Sequence, residues 1–266
     1  MKGLGWALHH TISNFQFPLP KYPLNTLHSF WLGPKPPDPS PGNAVVVIYV
    51  HGGGFVFNDG MQFPIAAALH SRFAGTPHQL HFLALEYLDD IGAAVKRIKD
   101  TFVDISATHK HVVFMGDSAG GNLVLSAALQ GGVSPTCVVA ISPWVNLRND
   151  DTASHQENSS HDIISNKFLA AGRNLYSPTL TPETSPALHS PATLATLPPT
   201  LLLSGSLELF RDSIENFYQR ARAAGASDVR LRVTTDGVHV HQCLPAFADT
   251  EGLDAIAEFI THHLID

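Results

Sequence analysis

Short hydrophobic runs alternate with amphipathic patterns along most of this chain. The run AVVVIYV at 44–50 is rich in β-branched residues and continuously apolar, which is typical of a strand buried on both faces. Similar runs lie at 81–86, 111–116, 137–142, 200–205 and 229–235. Apolar positions at helical spacing lie at 61–74, 89–106, 119–130, 211–224 and 253–265. The alternation predicts an α/β fold with a mostly parallel central sheet and helices on both faces.

Two segments depart from this rhythm and set the predicted organisation. The stretch PKPPDPSPG at 34–42 suits neither a helix nor a central strand, because proline lacks the N–H that both require. We therefore expect an N-terminal segment and connector at 1–43 and one main domain at 44–266. Within that domain, 144–199 is polar and rich in Ser, Thr, His and Pro, with one helical patch near 165–175. An insertion of this kind after a core strand predicts a small helical cap.

Composition narrows the class of protein. The 266 residues are 44% hydrophobic and 15% charged, which excludes a largely disordered chain. With 16 Lys and Arg against 23 Asp and Glu, the net charge is −7, so nucleic acid is not an expected partner. The sequence contains no run of 18 apolar residues, so stable membrane insertion is not expected.

The chain start and the cysteines bear on location. The start lacks a secretory pattern, because His9 and His10 interrupt its apolar stretch. Cys137 and Cys243 lie far apart, and Cys137 falls in an apolar run typical of a buried strand. No disulfide framework is expected, so the sequence predicts a reducing, cytoplasmic location.

The segment HVVFMGDSAGGNLVLSAAL carries the candidate chemistry. It reads as a strand, then Gly116-Asp117-Ser118-Ala119-Gly120, then a helix, which is the context in which G-x-S-x-G marks a nucleophilic serine. Gly116 and Gly120 flank Ser118 where a Cβ would clash across so sharp a turn. The alternative is a serine N-cap between two ordinary glycines. The strand before and the helix after favour a nucleophile.

A second glycine-rich segment, His51-Gly52-Gly53-Gly54-Phe55, directly follows the first strand. Successive glycines expose backbone N–H groups, as an oxyanion hole requires, although a plain loop would also accept them. Found in this order on two strands, the two segments together are far more specific than either alone.

HGGGF with GDSAGG resembles the hormone-sensitive-lipase family of α/β-hydrolases, and SPWVNL at 142–147 and LPPTLLLSG at 197–205 extend the likeness. The resemblance implies an eight-stranded type of core with a cap, and hydrolysis of carboxylic esters without a cofactor. It places the nucleophile at Ser118 and the oxyanion amides at Gly53, Gly54 and Ala119, with Gly52 shaping the turn. It also implies that His51 braces the loop and is not the catalytic base.

The triad acid is expected after the strand TLLLSG, in the order Ser, acid, His. The spacing of the resembling family puts Glu208 on the acid position and Asp212 on a second acidic position. Either could orient the histidine, but the spacing favours Glu208, and Asp212 has the alternative role of capping a helix that starts near Ser213.

The base is expected after the last strand, where DGVHVH offers two histidines. The family position matches His239, while His241 takes a place usually held by an aromatic and is expected at the pocket rim. His239-Val240-His241 also suggests metal binding, but a third ligand at a defined spacing is lacking, so no metal is predicted.

The chain departs from the resembling family after HFLALEY, where a proline-containing stretch is missing beyond Tyr87. The sequence favours a carboxylesterase acting on a small-molecule ester, as a monomer or homodimer. Two alternatives stay open: a catalytically impaired small-molecule binder of the same fold, and an amidase, lactonase or acyltransferase using the same triad.

Overall fold

A seven-stranded sheet forms the centre of the computed structural model, which describes residues 29–37, 42–55, 58, 60–86, 90–148, 152–176, 179–244 and 250–264. Its strands are β1 (Ser29–Leu32), β2 (Ala44–Val50), β3 (Gln79–Leu85), β4 (His111–Asp117), β5 (Cys137–Ile141), β6 (Thr200–Gly205) and β7 (Val229–Thr234). Its helices are α1 (Gln62–Phe73), α2 (Ile91–Ser106), α3 (Ser118–Leu129), α4 (Ala153–Glu157), α5 (Asn166–Tyr176), α6 (Pro191–Leu194), α7 (Arg211–Ala223) and α8 (Thr250–His262).

The strand order is β1-β3-β2-β4-β5-β6-β7. Strands β2 to β7 run parallel, and β1 pairs antiparallel with β3 at one edge. The predicted mostly parallel α/β sheet is therefore confirmed. The resemblance implied an eight-stranded type of core, whereas the described residues contribute seven strands; residues 1–28 lie outside the description.

Both faces of the five inner strands, β2 to β6, are buried, as the continuous apolar runs predict. In β2, Val46, Ile48 and Val50 belong to one hydrophobic core, and Val45, Val47 and Tyr49 belong to the other. Helices α2, α3 and α7 pack in the first core, and α1 and α8 pack in the second. Side chains that alternate between two cores leave no polar position in the strand, because neither face meets water.

The described residues of the interval 144–199 form three helices, α4 to α6, and a short 3₁₀ turn at Pro186–Leu188. Its buried residues Trp144, Val145 and Leu169 join the first hydrophobic core. Among the residues described, no helix is long and apolar enough to cross a membrane.

Candidate active site

Ser118 occupies the sharp turn between β4, which ends at Asp117, and α3, which begins at Ser118. Its φ of +51° is left-handed, a conformation that costs energy for a residue with a Cβ. The turn presses against β2: a Cβ on Gly120 would lie 2.0 Å from the Val50 carbonyl oxygen, and one on Gly116 would lie 2.6 Å from Gly120 backbone atoms. Both glycines are thus fixed by close backbone approach, as the sequence predicts.

His239 meets this serine across 121 residues of sequence. Its Nε2 lies 2.9 Å from the Ser118 Oγ, and both side chains are buried. The ring packs edge-on against Phe210 at 5.0 Å, and Phe210 in turn stacks on Trp144. Since Nε2 accepts the serine proton, the single N–H proton of the neutral ring must lie on Nδ1.

Glu208 is the carboxylate that faces His239 Nδ1. Its Oε2 lies 3.5 Å from that nitrogen, and its Oε1 accepts a 2.6 Å hydrogen bond from the Ser204 hydroxyl. The 3.5 Å separation exceeds the usual N–H···O length, and such catalytic contacts commonly tighten only when substrate is bound. Since Glu208 is fully buried, its charge depends on these partners for compensation.

Asp212 has a different set of contacts, and the prediction that it caps α7 is wrong. Helix α7 begins at Arg211, with Phe210 at the N-cap, so Asp212 already lies in the first turn. Its Oδ2 accepts a 2.7 Å bond from the Ser154 N–H, and its Oδ1 accepts one from the Arg211 guanidinium. The helix begins two residues before Ser213, and this moves Asp212 beyond the capping position.

The glycine-rich loop follows β2, beside the serine turn. The buried Asp117 carboxylate joins the two motifs: its Oδ1 accepts bonds from the Gly52 N–H at 3.1 Å and from the Tyr49 hydroxyl at 2.6 Å. Gly53 and Gly54 have φ of +101° and +63°, a conformation that few other residues adopt. Ala119 lies in the first turn of α3, where N–H groups lack partners within the helix.

His51 contacts the loop it precedes. Its Nδ1 lies 2.7 Å from the Gly52 carbonyl oxygen, and its Nε2 lies 3.6 Å from the Glu86 Oε2. Glu86 also accepts a bond from Asn58. Burial raises the pKa of Glu86, but the contacts with His51 and Asn58 outweigh it and hold the pKa below its usual value. The departure expected beyond Tyr87 falls on residues 87–89, outside the described residues.

Helix α5 covers the glycine-rich loop, a contact that the sequence does not reveal. A Cβ on Gly54 would lie 2.5 Å from the Phe168 ring, and a Cβ on Gly172 would lie 2.5 Å from the Gly54 carbonyl oxygen. Phe168 and Gly172 are one helical turn apart, so they present one face of α5 to the loop.

The two histidines of His239-Val240-His241, whose spacing suggests metal binding only weakly, have other contacts in the structure. His239 Nε2 faces Ser118, and His241 is buried, with its Nδ1 2.8 Å from the Val238 carbonyl oxygen. In the described part of the chain, Asp228, His262 and His263 form one group with metal-ligand chemistry. Arg230 donates to both carboxylate oxygens of Asp228, so an ion pair already engages that group.

Two further polar residues, both within 144–199, contact the candidate triad loops. Asp162 binds the backbone at His239 and Leu209, and Asn158 binds the carbonyl oxygens of Ser206 and Glu208. The sequence carries no motif for either residue, since both act through backbone groups that lie far away along the chain.

Comparisons with known proteins agree with this arrangement. A sequence profile described as the α/β-hydrolase fold matches residues 84–243. An esterase of Acinetobacter venetianus is 27% identical over 242 residues, covering 81% of this chain and 74% of the esterase. Esterase LipU of Mycobacterium tuberculosis is 30% identical over 123 residues, covering 44% of this chain and 41% of LipU.

Solved structures share the same fold. The crystal structure of an esterase from the bacterial hormone-sensitive lipase family has a TM-score of 0.70 and 26% identity, covering 89% of this chain and 80% of that one.

Proposed function

The chain belongs to the α/β-hydrolase fold family, and from this premise we propose that it is a serine hydrolase that cleaves small carboxylic esters. The resemblance to hormone-sensitive-lipase esterases is confirmed by the profile match and by the structural neighbour of that family. Among the residues of the site, the proposal rests chiefly on the 2.9 Å contact between the Ser118 Oγ and the His239 Nε2, at a strained strand-to-helix turn.

In the proposed first half-reaction, the Ser118 Oγ attacks the ester carbonyl carbon while His239 Nε2 takes the hydroxyl proton. The carbonyl oxygen becomes an oxyanion, which the backbone N–H groups of Gly53, Gly54 and Ala119 stabilise. Glu208 keeps the Nδ1 proton in place and stabilises the imidazolium. His239 then returns its proton to the departing alcohol, leaving an acyl-enzyme on Ser118.

In the second half-reaction, His239 takes a proton from water, whose oxygen attacks the acyl carbon. The tetrahedral oxyanion forms again at the same amides and collapses to release the carboxylic acid, while His239 returns its proton to the departing Ser118 Oγ. Every proton moves through one nitrogen, so a single buried histidine is sufficient for both steps.

We also propose that the insertion 144–199 acts as a cap over this site, supported by the contacts of Phe168 and Gly172 on α5 with Gly54. A cytoplasmic monomer or homodimer stays a prediction, which fractionation and light scattering would test.

The direct test is hydrolysis of p-nitrophenyl acetate and butyrate by the wild-type protein and by Ser118→Ala. We expect turnover by the wild type, and a loss of kcat of about 10⁶-fold in the variant. A fluorophosphonate probe should label the wild type and not Ser118→Ala. Turnover by Ser118→Ala at the wild-type rate would refute the mechanism, and an unlabelled wild type would indicate a small-molecule binder.

A further inference from the structure

One carboxylate contacts the backbone of two candidate triad loops at once. The Asp162 Oδ1 accepts a 2.9 Å hydrogen bond from the His239 N–H, and its Oδ2 accepts a 2.7 Å bond from the Leu209 N–H, the residue after Glu208. The Oδ1 also accepts from the N–H of Ile163. All three partners are donors, so the side chain suits this place only as a pure acceptor, the ionised form.

The segment that carries Asp162 is bonded to the acid loop along its length. The Asn158 amide donates to the carbonyl oxygens of Glu208 at 3.0 Å and Ser206 at 3.2 Å, and the Ser154 hydroxyl donates to that of Leu209 at 2.9 Å. Asp162 adds a bond to the histidine loop. The segment 154–162 therefore holds Glu208 in place and, through one side chain, sets where His239 lies relative to it.

The spacing of the two loops matters because the His239 Nδ1 and Glu208 Oε2 atoms are 3.5 Å apart. If the two loops move a few tenths of an ångström closer, these atoms form a charge-assisted hydrogen bond. If the loops move apart by the same distance, they form none. We propose that Asp162 is a positioning residue for the hydrolysis, whose ionised carboxylate holds the His239 and Glu208 loops at the separation that catalysis needs. This inference rests on the proposed function, since it assumes that His239 and Glu208 act together.

The hydrogen bonds of Asp162 to the two loops depend on its ionisation and are therefore sensitive to pH. Burial raises the pKa of Asp162 most, and the nearby Glu208 charge raises it further. His239 and the N–H groups of Leu209 and His239 lower it, but the net pKa lies above the usual value. The carboxylate is ionised above that pKa and neutral below it. A neutral Asp162 presents an O–H to one of the N–H donors, so its bonds to the loops weaken as the pH falls through this pKa.

The experiment compares wild type, Asp162→Asn and Ser154→Ala for kcat and KM on p-nitrophenyl butyrate across acidic to neutral pH. The Asn side chain keeps the shape of Asp but turns an NH₂ toward an N–H, as the neutral acid does. We expect Asp162→Asn to lower kcat by about 10- to 100-fold, with KM changed less than about threefold. Ser154→Ala removes a bond from the same segment to the same acid loop, and should change kcat less than about threefold.

The pH profile separates positioning from general loosening. In the wild type, the acid limb of kcat should be steeper than one ionisation allows, because protonation of the Asp162 carboxyl adds to the ionisation that general-base catalysis itself imposes, and in Asp162→Asn it should fit a single ionisation. The proposal would be overturned if Asp162→Asn kept the kcat of the wild type, or if Ser154→Ala lost as much kcat as Asp162→Asn. It would also be overturned if the acid limb of the wild type fitted a single ionisation.

Two readouts keep the outcome clear. If Asp162→Asn does not fold by circular dichroism, the slope of the wild-type acid limb, measured by turnover and by the rate of fluorophosphonate labelling, decides alone. If the wild type neither turns over nor labels, the proposed function has failed. If it does both and the Asp162 effects are absent, only the positioning role has failed.

Discussion

At the scale of single residues, the proposed mechanism depends on which carboxylate orients His239. Glu208 Oε2 faces the imidazole Nδ1, whereas Asp212 accepts from Ser154 and Arg211. A carboxylate at Nδ1 fixes the tautomer that leaves Nε2 free to accept the serine proton, and an amide there can donate and favour the wrong one. We expect Glu208→Gln to lower kcat by about 10³- to 10⁴-fold while substrate binding is retained.

Asp212→Asn is the matched control, because it makes the same chemical change four residues away. Its expected cost is the weakening of the bonds to Ser154 and Arg211, about 1 kcal/mol of unfolding free energy, with kcat within about threefold of the wild type. Steady-state kinetics and thermal unfolding of both variants check this. The reverse ranking of the two variants would move the acid from Glu208 to Asp212.

The residues that the sequence identified are those whose role is fixed by local geometry. Ser118 follows from a turn that only small neighbours allow, and His239 from its place after the last strand, and the structure brings them to 2.9 Å. Asp162 has no such local signature: its partner His239 is 77 residues away, and what it recognises there is a backbone N–H that any residue but proline carries. No spacing rule could have connected them.

At the scale of elements, the predicted core strands lie within two residues of the observed ones, because an apolar run buried on both faces ends where the chain meets water. Strand β1 was missed: it has four residues, all partly exposed at the sheet edge, and its apolar run of three residues is too short to indicate a strand. The helical pattern at 211–224 matches the start of α7 at Arg211, whereas the capping argument placed that start near Ser213, two residues late and enough to change the role of Asp212. Helix boundaries depend on tertiary contacts such as those of Ser154, which propensity does not contain.

Helix α5 supplies the prediction at this scale. Gly172 is buried against the Gly54 carbonyl oxygen, where a Cβ would approach to 2.5 Å. Alanine normally stabilises a helix by about 1 kcal/mol over glycine, but here the extra methyl would push α5 and the glycine-rich loop apart at a cost of about 1–3 kcal/mol. We expect Gly172→Ala to lower kcat on p-nitrophenyl acetate by about tenfold, because the Gly54 amide is displaced, with a small net change in unfolding free energy.

The control is Asn174→Ala, two residues along the same helix at an exposed position. It brings a comparable gain in helix propensity without a clash, so its kcat should match the wild type while its melting temperature is unchanged or slightly higher. Kinetics and thermal melts of both variants measure the two effects separately. Wild-type kcat in Gly172→Ala would show that α5 does not control the loop.

At the scale of the whole molecule, the parallel sheet gathers the site. Ser118 follows β4, the glycine-rich loop follows β2, Glu208 follows β6 and His239 follows β7, and the carboxyl ends of parallel strands share one edge of the sheet. Residues spread over nearly 190 positions therefore meet at one edge of the sheet. The order of the strands in the sheet could be predicted only from the family resemblance. The interior of the sheet is also closed to water, and the reactivity of a thiol buried in it measures how readily the sheet opens.

Cys137 lies in the interior strand β5, fully buried, and burial raises the pKa of its thiol far above the usual value. Since the thiolate is the reactive form, this thiol should be inert until the sheet itself opens. We expect DTNB to find no reactive thiol in the folded wild type and both cysteines in denaturant.

A Cys243→Ala variant isolates Cys137, because Cys243 lies in a short 3₁₀ turn that could open locally. In that variant, the urea dependence of Cys137 labelling should match that of circular dichroism, as a strand held between two hydrophobic cores can become exposed only when both are lost. Labelling that proceeds at a rate independent of urea would mean that β5 opens without global unfolding. The sheet that positions Ser118, Glu208 and His239 would then be divisible, and their alignment could be lost while the rest of the molecule stays folded.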